Sequence, residues 1–304
     1  MLILFGAAGL DPQWPATVLC LGTFDGFHLG HQAVIRKAVA IARAADLPCG
    51  LVTFDRHPAM TLAPERAPST LSQPTDNLSL LSDLGVDLTV VLAFDRALSE
   101  TSAEDFLATI LQAQLHGSHL VVGHDFAFGH DRLGTTDWLE ARVQTTVVPP
   151  FELDGVRVSS SAIRAAVASG DLATAGRMLG RPFALRGVVI SGDKLGRQLG
   201  FPTANLGLPA RHILPPDGVY VAQAVTPFGQ FAAAVSIGDR PTVNGTNRVI
   251  EAHLLDFSGE SLYGRSVTLQ LVSHIREQRR LASLEELKEW INNDIETVRG
   301  CLSG

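Results

Sequence analysis

Two histidines three residues apart follow the first strongly apolar segment of the chain. His28 and His31 lie in GTFDGFHLGH, residues 22–31, where a strand pattern at 16–22 runs directly into a helical pattern. The first turn of a helix has unpaired backbone amides and a partial positive charge, which favour phosphate. Two imidazoles there can donate hydrogen bonds to phosphate oxygens as charge builds in a transition state. The pattern predicts a catalytic phosphate site, and three glycines would let the backbone approach a ligand closely: Gly22, Gly26 and Gly30.

A third histidine is expected at the same edge of the predicted sheet. His57, in TFDRHP at 53–58, follows the next strand pattern, and neighbouring parallel strands end at one edge. A zinc site formed by His28, His31 and His57 is an alternative, although no cysteine or fourth ligand accompanies these histidines. The Walker-type phosphate loop is absent from the sequence, so the nucleotide chemistry is of another type.

A glycine-rich stretch followed by polar residues forms a second candidate site at 192–206, GDKLGRQLGFPTANL. The backbone amides of such a loop can wrap the phosphates of a nucleotide. Thr203 and Asn205 are two residues apart, which places both on one face of an extended segment. A hydroxyl and an amide oxygen on one face can bind Mg²⁺, which prefers oxygen ligands. The alternative for Asn205 is a plain turn residue.

Glu251 is the candidate base of this second site. It lies in VIEAHLLDF, residues 249–257, and strand alternation places it on one face with His253 and Leu255. Phosphorylation of a hydroxyl requires a base or a group that positions the attacking oxygen. A carboxylate among apolar strand residues is unusual and suggests such a role. The alternative is an outward-facing carboxylate without a function.

The elements that must position these residues differ between the two halves of the chain. In the first half, short apolar strand patterns alternate with helical patterns, which predicts a parallel sheet with helices on both faces. The strand patterns lie at 16–22, 49–54, 88–94, 119–123 and 145–151, and the main helical patterns at 30–47 and 103–115. The apolar start of the chain, MLILFGAAGLDPQWP, is expected to be an edge strand or a loop and not a signal peptide.

The pattern changes at Arg181 and Pro182. Strand-like segments separated by turn residues follow, without intervening helices, and predict an antiparallel barrel. These segments lie at 184–192, 218–225, 230–238, 249–257 and 266–275. A final helix is predicted from a capping-box pattern of Ser283 and Glu286 and from an apolar stripe of Leu284, Leu287, Trp290, Ile291 and Val298.

Composition limits the classes of partner. The 304 residues carry a net charge of -7, which argues against a general electrostatic affinity for nucleic acid or anionic lipid. No apolar run approaches the length of a membrane span. The three cysteines, Cys20, Cys49 and Cys301, have no close spacing and indicate a reducing cytoplasm.

The first half resembles a known family of enzymes. GTFDGFHLGH resembles the HxGH signature of nucleotidylyltransferases, and with TFDRHP, VVGHDFAFG at 121–129 and VSSSAIR at 158–164 it resembles the adenylyltransferase half of bacterial bifunctional riboflavin kinase/FAD synthetases. The resemblance implies that His28 and His31 hold the ATP phosphates and stabilise the reacting α-phosphate. Further nucleotide or phosphate contacts are expected from Gly22, Phe24, Asp25, Gly30, Ser160, Ser161 and Arg164. Flavin contacts are expected from His57, Pro58, Asp125 and Phe126, although Asp125 could line the nucleotide site instead. Phe126, like Phe54, could stack on the flavin ring, and the alternative for both is a place in the core. For Ser160 the alternative is a plain helix cap.

The second half resembles the kinase half of the same enzymes. The stretch at 192–206 resembles the glycine-rich loop and PTAN motif of riboflavin kinases, and RPT at 240–242 and LDFSGESLYGRSV at 255–267 match later kinase motifs. The resemblance implies that Glu251 takes the proton from the ribityl 5′-hydroxyl, that Thr203 and Asn205 bind Mg²⁺, and that the nucleotide phosphates are held by Gly192, Lys194, Gly196 and Arg197. Two departures are small: Ser161 stands where the family often has Thr, and Ser236 where it often has Asn.

The expected architecture is α/β plus β. A Rossmann-like nucleotidyltransferase domain with a parallel sheet spans 1–182, and an antiparallel β-barrel riboflavin kinase domain with a terminal helix spans 183–304. The expected activity is phosphorylation of riboflavin to FMN, then adenylylation of FMN to FAD, with ATP as co-substrate, Mg²⁺ as cofactor and no nucleic-acid or membrane partner. Three alternatives stay open: a kinase with a degenerate adenylyltransferase half, a nucleotidylyltransferase for another mononucleotide, and a flavin-binding regulator or storage protein.

Overall fold

The computed structural model of the chain describes residues 1–192, 200–209, 211–242, 245–278 and 284–302. The chain forms two compact units, Met1–Ala162 and Ile163–Gly304. The domain border at 182 stays a prediction.

The first unit is built on a sheet of six parallel strands in the order β1-β4-β3-β2-β5-β8. In chain order the strands of the whole unit are β1 (Leu2–Phe5), β2 (Thr17–Leu21), β3 (Cys49–Phe54), β4 (Leu88–Leu92), β5 (Gly117–Gly123), β6 (Ala127–Phe128), β7 (Gly134–Thr135), β8 (Gln144–Val148), β9 (Glu152–Leu153) and β10 (Val156–Arg157). The pairs β6–β7 and β9–β10 form two small antiparallel ribbons. The predicted parallel sheet is confirmed, and the apolar start of the chain forms its edge strand β1.

Helices cover both faces of this sheet. They are α1 (Leu29–Ala44), α2 (Ala59–Leu62), α3 (Leu78–Asp83), α4 (Arg96–Glu100), α5 (Ala103–Asp105), which continues as a π-helix over Phe106–Gln114, and α6 (Thr136–Glu140). Alternate residues of the fully buried strand β2 belong to two cores, because successive strand side chains point to opposite faces. Leu19 packs in one core with Leu111, and Cys20 packs in the other with Ile35 of α1. Burial on both faces explains the continuous apolar runs in the sequence.

The strand order reverses beside β2. The chain runs from β2 to β3 and β4 on one side, and then crosses to β5 on the other side. Ligands of open parallel sheets bind outside the carboxyl ends of the strands at such a point. The segments that follow β2 and β5 are therefore the expected place of a binding site.

The second unit contains a closed barrel of six antiparallel strands in the order β11-β12-β15-β14-β13-β16. Its strands are β11 (Phe183–Ile190), β12 (Ala204–Gly207), β13 (Gly218–Thr226), β14 (Gly229–Thr242), β15 (Gly245–Leu254) and β16 (Ser266–Arg276), and its helices are α7 (Ser160–Ala168, across the division), α8 (Leu172–Leu179) and α9 (Leu284–Leu302). The predicted barrel and terminal helix are confirmed. The short strand β12, which carries Asn205, was not predicted as a strand.

Helix α9 covers part of the outer face of the barrel. Val298 of the helix is fully buried in one cluster with Val221 of β13. The Arg276 guanidinium forms two hydrogen bonds with the carboxylate of Asp294, at 2.9 and 2.7 Å, and lies 4.9 Å from the centre of the Trp290 ring. Val298 thus has the buried position that the apolar stripe predicted, whereas Ser283 of the predicted capping box lies outside the described residues.

Candidate active sites

The loop between β2 and α1, residues 22–28, has an unusual backbone. Phe24 and Phe27 both have φ of 45°, in the left-handed region, and Gly26 between them has φ of 84°. For a bulky residue such a conformation costs of order 1–3 kcal/mol, and strain of this kind concentrates at functional sites. Both phenylalanines are almost fully buried, and their rings stack with centroids 5.6 Å apart.

The two histidines stack on each other at the start of α1. Their ring centroids are 3.6 Å apart, with 18° between the planes. His28 is the N-cap residue, and its Nδ1 accepts a hydrogen bond from the backbone amide of His31 at 3.2 Å. A neutral His28 therefore carries its proton on Nε2, which can donate to a phosphate oxygen. The rings of Phe24 and His31 meet edge to face, at 5.2 Å between centroids.

His31 is held in its neutral form. Burial, with a smaller effect of the neighbouring His28, lowers the pKa of His31 well below its usual value. Its Nδ1 is fully buried and, among the described residues, has no hydrogen-bond partner. A buried nitrogen without a partner is unusual, because most buried polar atoms are hydrogen-bonded.

Gly30 makes room for the His28 ring. A side-chain carbon at position 30 would lie 3.1 Å from the Cε1 and Nδ1 atoms of His28. A carbon at Gly22 would lie 3.3 Å from the Phe24 ring. Both glycines thus permit the packing of the residues around the site, and direct contact of either with a nucleotide stays a prediction.

Asp25 and Phe24 support the loop from within. The Asp25 carboxylate accepts hydrogen bonds from the backbone amides of Leu71 (2.8 Å) and Ser72 (3.2 Å). The predicted nucleotide contacts of Asp25 and Phe24 remain predictions, since the observed contacts of both are made with the protein. Sequence reasoning missed Ser72 and its hydrogen-bond partner Asn77, because no motif marks their segment.

The second predicted phosphate group lies at the start of α7. Ser159 Oγ accepts a hydrogen bond from the amide of Ala162 at 3.2 Å, so the helix is capped by Ser159. Ser160 Oγ instead donates to the carbonyl oxygen of Asp25 at 2.9 Å, which joins this helix start to the loop before His28. Ser161 is exposed, and Arg164 follows Ser160 by four residues, so the two lie on one side of the helix.

The residues predicted to contact flavin follow β3 and β5. His57 Nδ1 accepts a hydrogen bond from the amide of Ala59 at 3.1 Å, and Pro58 is the N-cap residue of α2. Phe126 is partly buried and stacks on Phe128, at 5.7 Å between centroids.

Asp125 is largely exposed and pairs with Arg157 of the small β9–β10 ribbon. Arg157 was not singled out from the sequence. Both charges thus lie beyond the carboxyl end of β5, at the edge of the sheet where the histidines follow the carboxyl end of β2.

The barrel aligns three polar residues across three adjacent strands. Glu251 of β15 is directly opposite Asn205 of β12 on one side and Ser236 of β14 on the other. Directly opposite residues in antiparallel strands project from the same face, with Cβ atoms about 4.5–5.5 Å apart. Because Ile250 and Ala252 are buried inside, Glu251 projects from the outer face, as does His253. The shared face of Glu251 and His253 is therefore confirmed, and it is the outward face that the alternative for Glu251 also predicted.

The surroundings of these three aligned residues, Asn205, Glu251 and Ser236, are close-packed. Asn205 is only 7% exposed, and a carbon added at Gly192 would collide with its amide group. Gln278 Nε2 donates to Ser236 Oγ at 2.9 Å. Thr203, partly buried, comes immediately before β12. Three predicted phosphate contacts lie outside the described residues: Lys194, Gly196 and Arg197.

The described residues contain no group of three or more His, Cys, Asp or Glu side chains arranged to hold a metal ion. A zinc site of His28, His31 and His57 therefore has no support in this part of the chain. Within the same residues, no helix has the length and apolar character needed to cross a membrane.

Comparisons with known proteins match both units. The FAD synthetase family model matches residues 10–162, and the riboflavin kinase family model matches residues 179–302. A solved structure described as a macrolide-efflux protein from Streptococcus pneumoniae has 31% sequence identity and a TM-score of 0.85, over 98% of each chain.

Curated relatives match almost the whole length. A bifunctional riboflavin kinase/FMN adenylyltransferase from Pseudomonas fluorescens is 40% identical, over 98% of this chain and 97% of that protein. Proteins of the same name from Escherichia coli K12 and Bacillus subtilis are 39% and 35% identical, over 93% and 91% of this chain and 91% and 90% of their own lengths. The chain therefore belongs to the family of bifunctional riboflavin kinase/FMN adenylyltransferases.

Proposed function

We propose that this chain phosphorylates riboflavin to FMN at the barrel and adenylylates FMN to FAD at the parallel sheet, with ATP as the donor in both steps. The observation that carries the proposal is the presence of two constellations suited to phosphate chemistry, one in each unit. The sheet holds the stacked His28 and His31 at a helix start, and the barrel holds Glu251 in a row with Asn205 and Ser236.

In the adenylyl transfer, a phosphate oxygen of FMN attacks the α-phosphorus of ATP. A new phosphorus–oxygen bond forms in line with the bond that breaks, and pyrophosphate leaves. The amides at the start of α1 and the Nε2–H of His28 supply hydrogen bonds to the α-phosphate oxygens as their charge rises. His31, which is neutral because its pKa is lowered, can donate a further hydrogen bond without adding a charge that would repel its neighbour.

Ser160 and Arg164 supply the second phosphate contact in this proposal. The Ser160 hydroxyl donates to the carbonyl of Asp25 and keeps its lone pairs for other partners, while the Arg164 guanidinium is suited to phosphate oxygens. Asp125, Phe126, His57 and Pro58 follow the neighbouring strands and lie where the flavin would be expected.

In the phosphoryl transfer, Glu251 accepts the proton of the ribityl 5′-hydroxyl as the oxygen attacks the γ-phosphorus of ATP, and ADP leaves. The carboxylate is well placed for this because strand pairing fixes it between Asn205 and Ser236. Asn205 and Thr203 offer an amide oxygen and a hydroxyl, which suit the oxygen preference of Mg²⁺. A magnesium ion held there would neutralise phosphate charge during the transfer.

We also place the protein in the cytoplasm. Its substrates would include ATP, and its three cysteines are free, two of them buried.

The direct test is to incubate the purified chain with riboflavin, ATP and Mg²⁺ and to separate the flavins by chromatography. The expected result is FMN first and FAD later, with FAD formed also when FMN is supplied. If FMN accumulated and no FAD formed, even when FMN is supplied, only the riboflavin kinase activity would be supported. Tightly bound riboflavin without any conversion would favour a flavin-binding protein.

A further inference from the structure

The loop 22–28 is tied to a segment far away in the sequence. Asp25 Oδ1 accepts hydrogen bonds from the amides of Leu71 and Ser72, at 2.8 and 3.2 Å. In the opposite direction, the amide of Gly26 donates to Ser72 Oγ at 3.1 Å. The two segments, which are 46 residues apart at Gly26 and Ser72, thus hold each other by hydrogen bonds in both directions.

Asn77 fixes the Ser72 hydroxyl from a second side. Its Nδ2 donates to Ser72 Oγ at 3.0 Å, and its side chain is almost fully buried. The hydroxyl oxygen therefore accepts two hydrogen bonds, from Gly26 and from Asn77, which uses both of its lone pairs. The position of the Ser72 hydroxyl oxygen is thus fixed by two donors of the protein itself.

The loop needs support of this kind. The positive φ values of Phe24 and Phe27 are unfavourable for phenylalanine, and such conformations persist only where the surroundings over-determine them. The loop ends at His28, whose ring rests on His31 at 3.6 Å. A displacement of Gly26 would therefore be passed along two residues of backbone to the stacked imidazoles.

We propose that Ser72 and Asn77 are positioning residues for adenylyl transfer, which hold loop 22–28 so that His28 and His31 keep the geometry that the reacting phosphate requires. The inference rests on the proposed function of this site. Neither residue needs to contact substrate, because Ser72 acts through the amide of Gly26 and Asn77 acts through Ser72. Small displacements of aligned groups lower the rate of a chemical step strongly, while substrate binding is less affected. Loss of this support should therefore change kcat more than KM.

The test compares Ser72→Ala with a matched control, Ser99→Ala. Ser99 belongs to the same unit, and its hydroxyl donates to the carbonyl oxygen of Arg96 in its own helix, at 2.7 Å. In Ser72→Ala, kcat for FAD formation from FMN should fall about tenfold, with KM for FMN and for ATP within about twofold of wild type. Phosphorylation of riboflavin should stay at the wild-type rate, and Ser99→Ala should change neither activity.

A measurement without turnover separates this inference from the proposed function. Hydrogen exchange of the Gly26 amide, followed in the whole chain, should become about tenfold faster in Ser72→Ala, since its acceptor is lost. Wild-type kcat in Ser72→Ala, or an equal loss of both enzymatic activities, would overturn the positioning role. If the wild-type chain formed no FAD, the proposed function would fail, and unchanged exchange at Gly26 would then overturn the structural basis of the inference as well.

Discussion

The two proposed sites are positioned by different kinds of backbone. At the parallel sheet, His28 and His31 depend on a strained loop that hydrogen bonds from distant segments hold in place. At the barrel, Glu251 and Asn205 depend on strand pairing, which places them directly opposite each other. The activity of a site built on a loop should change when residues that never touch substrate are substituted. The activity of a site built on paired strands should change mainly when its own side chains or the residues packed against them are substituted.

The largest effect is expected from His28→Ala. It removes the Nε2–H donor and the acceptor for the His31 amide, so FAD formation from FMN should fall by about 10²–10³-fold. Riboflavin phosphorylation should be unchanged, because the barrel belongs to a separate compact unit. Rates of both steps, measured from riboflavin and from FMN, check this prediction. A parallel loss of FMN formation would remove the distinction between the two sites.

A packing change should act only on the barrel site. In Gly192→Ala the new methyl group collides with the amide of Asn205, so riboflavin phosphorylation should fall about tenfold or more, with FAD formation from FMN intact. Gly300→Ala is the matched control, since nothing lies within 4 Å of a carbon added there. Wild-type kinase activity in Gly192→Ala would show that the position of Asn205 does not matter.

The local fold and the position of the candidate residues in it could be predicted from the sequence. Strand patterns followed by a helical pattern located His28 and His31, and strand alternation placed Glu251 on one face with His253. The partners across the sequence could not be predicted in this way. Ser72 meets Gly26 over 46 residues, and Ser236 faces Glu251 only because of the register between β14 and β15. Such contacts depend on tertiary packing, which local patterns do not contain.

The pH dependence of stability should distinguish the buried histidine of the sheet. The pKa of His31 is lowered in the folded chain, so the unfolded chain binds this proton more readily. The contribution of neutral His31 to the free energy of unfolding is complete above about pH 6.5, the pKa of the residue in the unfolded chain. It is lost as the pH falls through the pKa of His31 in the folded chain, by up to about 1.4 kcal/mol per pH unit. Urea unfolding between pH 7.5 and 5 should therefore show a weaker pH dependence in His31→Gln. Equal slopes in both proteins would contradict the buried, neutral state.

The smallest effect is expected from Ser236→Ala. It removes the hydroxyl that accepts from Gln278 at 2.9 Å beside Glu251, and one such hydrogen bond corresponds to about a three- to tenfold change in rate. Kinetics of riboflavin phosphorylation at several ATP concentrations would measure it. A loss of several hundredfold would mean that Ser236 has a direct role in the reaction and that strand register alone does not hold Glu251.

The two sites on this one chain should act independently, and a mixing experiment measures that independence. His28→Ala and Glu251→Gln variants are incubated with riboflavin, ATP and Mg²⁺, separately and together, and the flavins are separated by chromatography. The expected result is that His28→Ala accumulates FMN, that Glu251→Gln leaves riboflavin unchanged but converts added FMN to FAD, and that the mixture forms FAD from riboflavin. Loss of both activities in either single variant would contradict it.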